Sequence, residues 1–157
     1  MTIRITEARW PQDRDTVEAL FREYVASLTE DISFQNVDDE FAALPGKYAR
    51  PGGAVLIGWD GGEAAGVIAY RMLEPGVAEM KRLYVRPAFR GRGLGRELAN
   101  ELIDDARSRG YRTMMLDTLA SMSNARALYR DLGFVPVEAY YDNPLRGVMY
   151  MALELGD

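Results

Sequence analysis

The sequence predicts a mixed α/β (α+β) fold in which helices cover a largely antiparallel sheet. Three observations carry this reading. "AVLIGWDGGEAAGVIAY" places two apolar runs around Asp60-Gly61-Gly62, the pattern of a tight hairpin. Two later stretches repeat apolar residues at helical spacing, separated by the short run "TMMLDT". Finally, "FVPVEAY" and "GVMYMALEL" read as a closing antiparallel pair. Strands mixed with helices in this way pack as helices layered on a sheet.

The elements follow in order. "TIRITEA", residues 2–8, alternates and predicts a first strand. Residues 11–28 predict a helix, because Val17, Leu20, Phe21, Tyr24, Val25 and Leu28 recur on one side, with Asp13 or Asp15 as its cap. A short second helix is expected over residues 37–44, before Pro45-Gly46. After the hairpin, a turn at Glu74-Pro75-Gly76 leads into the strand "VAEMKRLYV". Leu94, Leu98, Leu102, Ile103 and Ala106 form the apolar stripe of a helix that Gly110 stops. "TMMLDT" is a short buried strand, and Ser121 or Ser123 caps a last helix through Leu132, ended by Gly133. The predicted order is β α α β β β α β α β β.

Length and composition narrow the function. A chain of 157 residues reads as one domain over 1–157, with a formal net charge of −5. It contains no cysteine and no histidine. Disulfides, thiolate or imidazole metal ligands and histidine catalysis are thereby excluded, and no metal is expected. Acid–base work falls to Asp, Glu, Tyr, Lys, a terminus or water. The beginning "MTIRITEARW" lacks the apolar core of a secretory signal. The longest apolar runs, such as "AVLI", are too short to span a membrane, so a cytoplasmic protein without a membrane partner is expected.

The charge is unevenly spread. Residues 81–96 hold six of the 19 basic residues (Lys81, Arg82, Arg86, Arg90, Arg92 and Arg96) and no acidic one. That leaves 13 basic against 24 acidic residues elsewhere, a body that a nucleic-acid polyanion would avoid. Within the basic stretch, Gly91, Gly93 and Gly95 lie between a predicted strand and a predicted helix. Amides at a helix start lack intrahelical acceptors, the helix dipole adds positive character, and glycines permit close approach. A phosphate or pyrophosphate is the favoured guest. The loop is not Gly-x-x-x-x-Gly-Lys-Ser/Thr, and its glycine spacing fails the dinucleotide fingerprint Gly-x-Gly-x-x-Gly. It fits the third form, Arg/Gln-x-x-Gly-x-Gly/Ala, as "RGRGLG".

"VRPAFRGRGLG" resembles the acetyl-CoA signature of the GCN5-related N-acetyltransferase (GNAT) family, Val-x-Pro-x-x-Arg-x-x-Gly-x-Gly. The resemblance extends to "ARALYRDLGF", where Ala125, Leu128, Tyr129, Gly133 and Phe134 match a family pattern, and to the element order over nearly the whole chain. It implies a GNAT-like fold and an acetyl-CoA-dependent transferase. It further implies that backbone groups of Leu83 and Val85 pair with the pantetheine arm. The amides of Arg92, Gly93, Leu94, Gly95 and Arg96 would then ring the pyrophosphate, with Arg90 and Gly91 at its edge. One departure stands out: the family often has Asn seven positions before the tyrosine, where this chain has Met122. Asn124 is out of register and inherits no role.

Acetyl transfer to an amine needs a base, because a lysine-like ammonium titrates at about 10.4 in water. Glu79, eleven residues before Arg90, resembles the family's glutamate base. The alternatives are a structural carboxylate paired with Lys81 or Arg82, and Asp117 on the next strand as the base. Tyr129 is the expected acid for the departing thiolate, since a phenol near pKa 10 is protonated at neutral pH. A backbone N–H near Val85 would hold the developing oxyanion. "YYDNPLRG", residues 140–147, supplies Tyr141, Asp142 and Asn143 beside the acceptor, with Tyr24 on the opposite wall; an ordinary Asx turn is the plainer reading. The acceptor is expected to be a primary amine of a small molecule, amino acid or protein, and a homodimer is left open. A non-catalytic CoA-binding sensor would keep the loop without needing Glu79 or Tyr129. An acetylating toxin that acts on charged tRNA is disfavoured by the acidic body.

Overall fold

The computed structural model describes residues 3–156. It contains β1 (Ile3–Glu7), α1 (Arg14–Ser27), α2 (Val37–Ala42), β2 (Ala54–Asp60), β3 (Glu63–Glu74) and β4 (Val77–Val85). There follow α3 (Leu94–Ser108), β5 (Thr113–Thr118), α4 (Ser123–Asp131), β6 (Val135–Val137) and β7 (Met149–Glu154). This is the predicted order; Thr2 of the first expected strand lies outside the described residues. One sheet runs β1-β2-β3-β4-β5-β7-β6, antiparallel at every junction except β4–β5.

Two of the expected caps are spent elsewhere. Asp13 precedes α1 without capping it; its carboxylate turns back to accept the Arg9 backbone N–H at 2.8 Å. The helix begins at Arg14, after a turn over residues 10–13. At α4 the capping position is Met122, while Ser121 donates its hydroxyl to Glu30 at 2.6 Å.

The sheet is covered on both faces. Val17, Leu20 and Phe21 of α1 and Phe41 of α2 pack on one face, against Val55, Ile57, Val67 and Ala69. The stripe of α3 packs on the other, against Leu56, Ile68, Tyr70, Met114 and Leu116. Burial on both faces explains why β2 and β3 read as continuous apolar runs rather than strict alternation. The start of α3 sits especially close. A Cβ on Gly58 would lie 2.8 Å from the Leu94 side chain, and one on Gly66 would lie 2.8 Å from the Tyr84 carbonyl oxygen. These two glycines are register partners on β2 and β3, so they form the seat on which Leu94 anchors the glycine loop.

Two features of β4 open the sheet. Its parallel pairing with β5 covers only Val77↔Thr113, Ala78↔Met114 and Glu79↔Met115. Beyond Glu79, the β5-facing edge of β4 has no strand partner. On its other side, β4 bulges against β3, between the pairs Ala69↔Lys81 and Val67↔Tyr84. Within that bulge Arg82 adopts φ +64, a left-handed backbone that a non-glycine residue takes only when its surroundings enforce it. The enforcement is visible. Arg82 is buried, its Nε and Nη2 donate to the two oxygens of Glu40 at 3.1 and 3.0 Å, and its Nη1 donates to Gln35 at 2.9 Å. Glu40 also pairs with Lys47 at 2.9 Å and accepts from the Tyr48 hydroxyl at 2.9 Å.

Burial alone would raise the Glu40 carboxyl, but Arg82 and Lys47 outweigh it and bring it down to about 2. A carboxyl depressed in the folded state stabilises the fold above its unfolded value of 4.5, and that contribution is lost as pH falls toward about 2. We predict an acid-labile increment of about 3 kcal/mol, measurable by urea denaturation between pH 6 and about pH 2.5. Glu40→Gln should be less stable at neutral pH and should lack most of this slope. An unchanged slope in the variant would show that the acid sensitivity lies elsewhere.

Candidate active site

A cavity of about 340 Å³ fills the gap where β4 leaves β5. Leu83, Val85 and Arg90 border it from β4 and the loop beyond; Leu116 and Asp117 border it from β5. Tyr129 comes from α4 and Tyr24 from α1, whereas Tyr141 and Asp142 border a different cavity, so Tyr24 and that loop do not face each other across one pocket.

The glycine loop leads out of this cavity into α3. Gly91 and Gly93 have φ +82 and +79, and a Cβ at either would meet nothing within 4 Å. Gly93 occupies the N-cap position and no side chain caps the helix. The amides of the first turn therefore have no acceptor within their own helix, and the space above them is open. These residues fit a pyrophosphate. The unpaired edge of β4 past Glu79 likewise fits an extended amide-bearing chain, which can hydrogen-bond to it as a strand would. Leu94 is buried on its two glycines and contributes only backbone here.

The six cations of the basic stretch do not act together. Lys81 and Arg82 turn inward toward Glu79 and Glu40, and Arg86 pairs with Glu23 at 2.7 Å. At the loop itself, Arg92 lies 3.8 Å from Asp60, and Arg96 lies 3.1 Å from Asp131. Arg90 donates its Nε to the Val85 carbonyl at 2.9 Å and stands over the Tyr84 ring. At the loop, then, the uncapped backbone amides are the donors left open, and the arginines stand around the rim in contact with protein groups.

Tyr129 is 7% exposed, packs against Phe134 and directs itself into the cavity, with no hydrogen bond to its hydroxyl among the described residues. Burial, followed by the neighbouring Tyr24 and Asp117, pushes the phenol above its ordinary value. It therefore holds its proton at neutral pH. Tyr24 is pushed up to about 12, mainly by burial.

Glu79 is 1% exposed and lies in the centre of the sheet. Its Oε1 accepts from Arg71 Nε at 2.9 Å and its Oε2 from the Tyr140 hydroxyl at 2.7 Å; Lys81 Nζ stands 3.9 Å away. Of the two partners expected from sequence, Lys81 is near and Arg82 is committed to Glu40. Burial would raise this carboxyl, but Lys81, Tyr140 and Arg71 together hold it below its usual value. It is thus ionised at neutral pH. Rather than entering the cavity of Tyr129, Glu79 borders a second cavity of about 320 Å³, together with Tyr141 and Asp142. Lys81 and Gln35 border both cavities and so form the wall between them.

In residues 140–147, Tyr141 donates its hydroxyl to Asp117, linking this loop to β5. Asn143 donates to the Tyr141 hydroxyl at 2.9 Å, and its Oδ1 accepts the Leu145 N–H at 2.9 Å. Both ends of the Asn143 amide are spent within the loop, as in the Asx turn, and its effect is to position Tyr141. Asn124 borders the first cavity despite being out of register, and so does Met122. Sequence reasoning did not single out Arg71, Tyr140, Gln35 or Lys47. They come from four separate segments, and only the fold brings them together.

Fold and site define a class of mixed α/β protein in which a glycine loop with uncapped amides adjoins a cleft between parted strands, bordered by a buried tyrosine. The acetyltransferase (GNAT) family model matches residues 16–134. An uncharacterized N-acetyltransferase of Schizosaccharomyces pombe is 44% identical over 155 residues, covering 98% of this chain and 95% of the relative. Two solved structures share the fold. The PaiA N-acetyltransferase of Thermoplasma acidophilum, in complex with coenzyme A, has a TM-score of 0.78 at 18% identity, covering 98% of this chain and 99% of that one. YncA of Salmonella typhimurium, with its cofactor acetyl-CoA, has a TM-score of 0.76 at 22% identity, covering 100% and 96%. The chain belongs to the GNAT family and is an acetyl-CoA-dependent N-acetyltransferase. Among the described residues, no cluster of His, Cys, Asp or Glu could hold a metal ion, and no helix is long and apolar enough to cross a membrane.

Gly93→Asp places a carboxylate where the uncapped amides converge, and it strains a left-handed position. We predict that CoA, which should stabilise the wild type by about 2.7 kcal/mol at a hundred times its dissociation constant, no longer raises the melting temperature of this variant. A folded variant that CoA still stabilises would remove the loop from the binding site.

Proposed function

We propose that this acetyltransferase modifies a primary amine, with Tyr129 as general acid and Glu79 as base, the latter acting through water. The observation that carries the reading is the Tyr129 hydroxyl, which borders the gap between β4 and β5 and has no hydrogen-bond partner among the described residues. Backbone amides from Arg92 to Arg96, with Leu83 and Val85 on the open strand edge, are the proposed cofactor contacts. The reading takes residues 1–157 as one domain, and a single sheet that joins the first described strand to the last supports it.

Acetyl-CoA supplies a thioester with an electrophilic acyl carbon and a thiolate leaving group. Glu79 receives one proton from the acceptor nitrogen, by way of water, as the C–N bond forms. Tyr129 gives its phenolic proton to sulfur as the C–S bond breaks. Water is needed because Glu79 is shielded and both of its oxygens already accept hydrogen bonds. A carboxylate of low proton affinity accepts a proton weakly by itself, and a water relay lets it orient and polarise the accepting molecule. Asp117 supports a second reading for the base, because it borders the same cavity as Tyr129.

Two measurements test these assignments. Tyr129→Phe keeps the ring but loses the donor. Turnover should fall by roughly 10²-fold, a usual size for general acid catalysis, while CoA binding is retained. Wild-type turnover in this variant would leave Tyr129 a packing residue. Glu79→Gln should lower turnover at pH 7 and regain part of the loss at high pH, where more of the acceptor is already free amine. The same pH–rate profile on Asp117→Asn decides between the bases: the role passes to Asp117 if only that variant behaves in this way.

A further inference from the structure

The second cavity has an unbalanced wall. Lys47, Arg71 and Lys81 all border it, and Lys47 shares the Glu40 carboxylate, 2.9 Å away, with Arg82. Arg71 and Lys81 share a single carboxylate, that of Glu79. Arg71 commits only its Nε to that partner. Its two Nη nitrogens donate to nothing among the described residues, and neither does the Lys81 Nζ. Two cations against one anion leave a positive charge, with unused donors, in a concave and largely sheltered place. Arginine presents its Nη atoms as a planar fork that matches a carboxylate with two parallel hydrogen bonds. Asp142 is exposed at the rim, where it can attract an incoming ammonium without cancelling the fork.

We infer that the acceptor is an amine that also carries a carboxylate, an amino acid, and that Arg71 and Lys81 hold this carboxylate in the cavity beside Glu79. The amine then points to the wall that Lys81 and Gln35 share with the cavity of Tyr129, the direction from which the acyl group arrives. The fork excludes polyamines, whose second cation would meet Arg71, and disfavours amidated analogues, which leave the cations unmatched. This inference rests on the acetyltransferase reading above and adds to it the class of acceptor.

The test combines binding with turnover. The protein saturated with CoA is titrated by calorimetry with the proteinogenic amino acids, their amides and spermidine, and the same compounds are offered as acceptors with acetyl-CoA while thiol release is followed. At least one amino acid should bind and be acetylated, with kcat/KM exceeding that of its amide by roughly 10- to 100-fold, the loss expected for charge-assisted hydrogen bonds. Arg71→Gln should raise KM for the acid by a similar factor and leave that for the amide nearly unchanged. Lys81→Met provides a second probe, should loss of Arg71 disturb the sheet. The inference is overturned if amides or spermidine are preferred, if no amino acid binds, or if the preference survives both substitutions. Amino-acid binding that depends on Arg71 but leads to no acetylation would uphold the carboxylate site and reject the catalytic assignments. A titration of CoA into the free protein checks the glycine loop separately.

Discussion

The pairing of β4 with β5 stops after three residues, and the site depends on that interruption. Had the two strands stayed together to their ends, their edges would have satisfied one another and there would be no cleft. The bulge contributes directly, because an extra residue at Arg82 bends β4 away from its neighbour. Such a backbone has to be held, and the holding group is a buried ion pair that reaches from the bulge to α2. Losing either partner would strand a charge in the core, which is far costlier than never having placed the pair there. A short helix remote from the glycine loop therefore helps determine the shape of the cleft between β4 and β5.

The absence of histidine is met by a set of groups held in fixed protonation states. Glu79 is kept ionised by Lys81, Tyr140 and Arg71 against its own burial, and Tyr129, Tyr140 and Tyr141 are kept protonated mainly by theirs. None of them is poised to titrate near neutrality in the way an imidazole does. Proton movement in such a site follows the substrates' own chemistry and the waters between them. The tyrosines 140, 141 and 150 meet edge to face, with centroids 5.2–5.5 Å apart, and carry the second-cavity loop as one packed unit. Their hydroxyls reach Glu79, Asp117 and the Tyr141 carbonyl respectively, so the loop is anchored to both parted strands.

Much of the fold could be read in advance because its signals are local. The period of "LGRELANELIDDA", the Gly61-Gly62 turn and the glycines after α3 and α4 are properties of short windows, and the element order follows from them. Caps were misread where a polar side chain had a better offer from afar, as with Ser121 and Glu30, which are separated by 91 residues. The glycine loop and its place between β4 and α3 were legible for the same reason: they are one contiguous segment. The charge there was less so, because sequence shows how many cations lie together but not which carboxylates turn to meet them. Glu40, Glu23 and Glu79 claim half of the basic stretch from three different elements. The acceptor side is assembled from side chains whose sequence neighbours say nothing of one another, and Arg71 acquires meaning only from the strand beside it.

The position of β7 bears on how the molecule comes into being. This strand, Met149–Glu154, lies between β5 and β6 and pairs with both. During synthesis, then, β5 waits with one open edge, and β6 has no sheet to join, until residues 149–154 have been made. The chain passes through a stage in which the first four strands can pair while the wall carrying Asp117 is still an unprotected ribbon, the kind of edge that recruits foreign strands. Pro136 in β6 and the brevity of that strand limit the hazard on the far side. For β5 the protection is temporal: the interval between its emergence and the arrival of its partner is the window in which a chaperone would have the most to do.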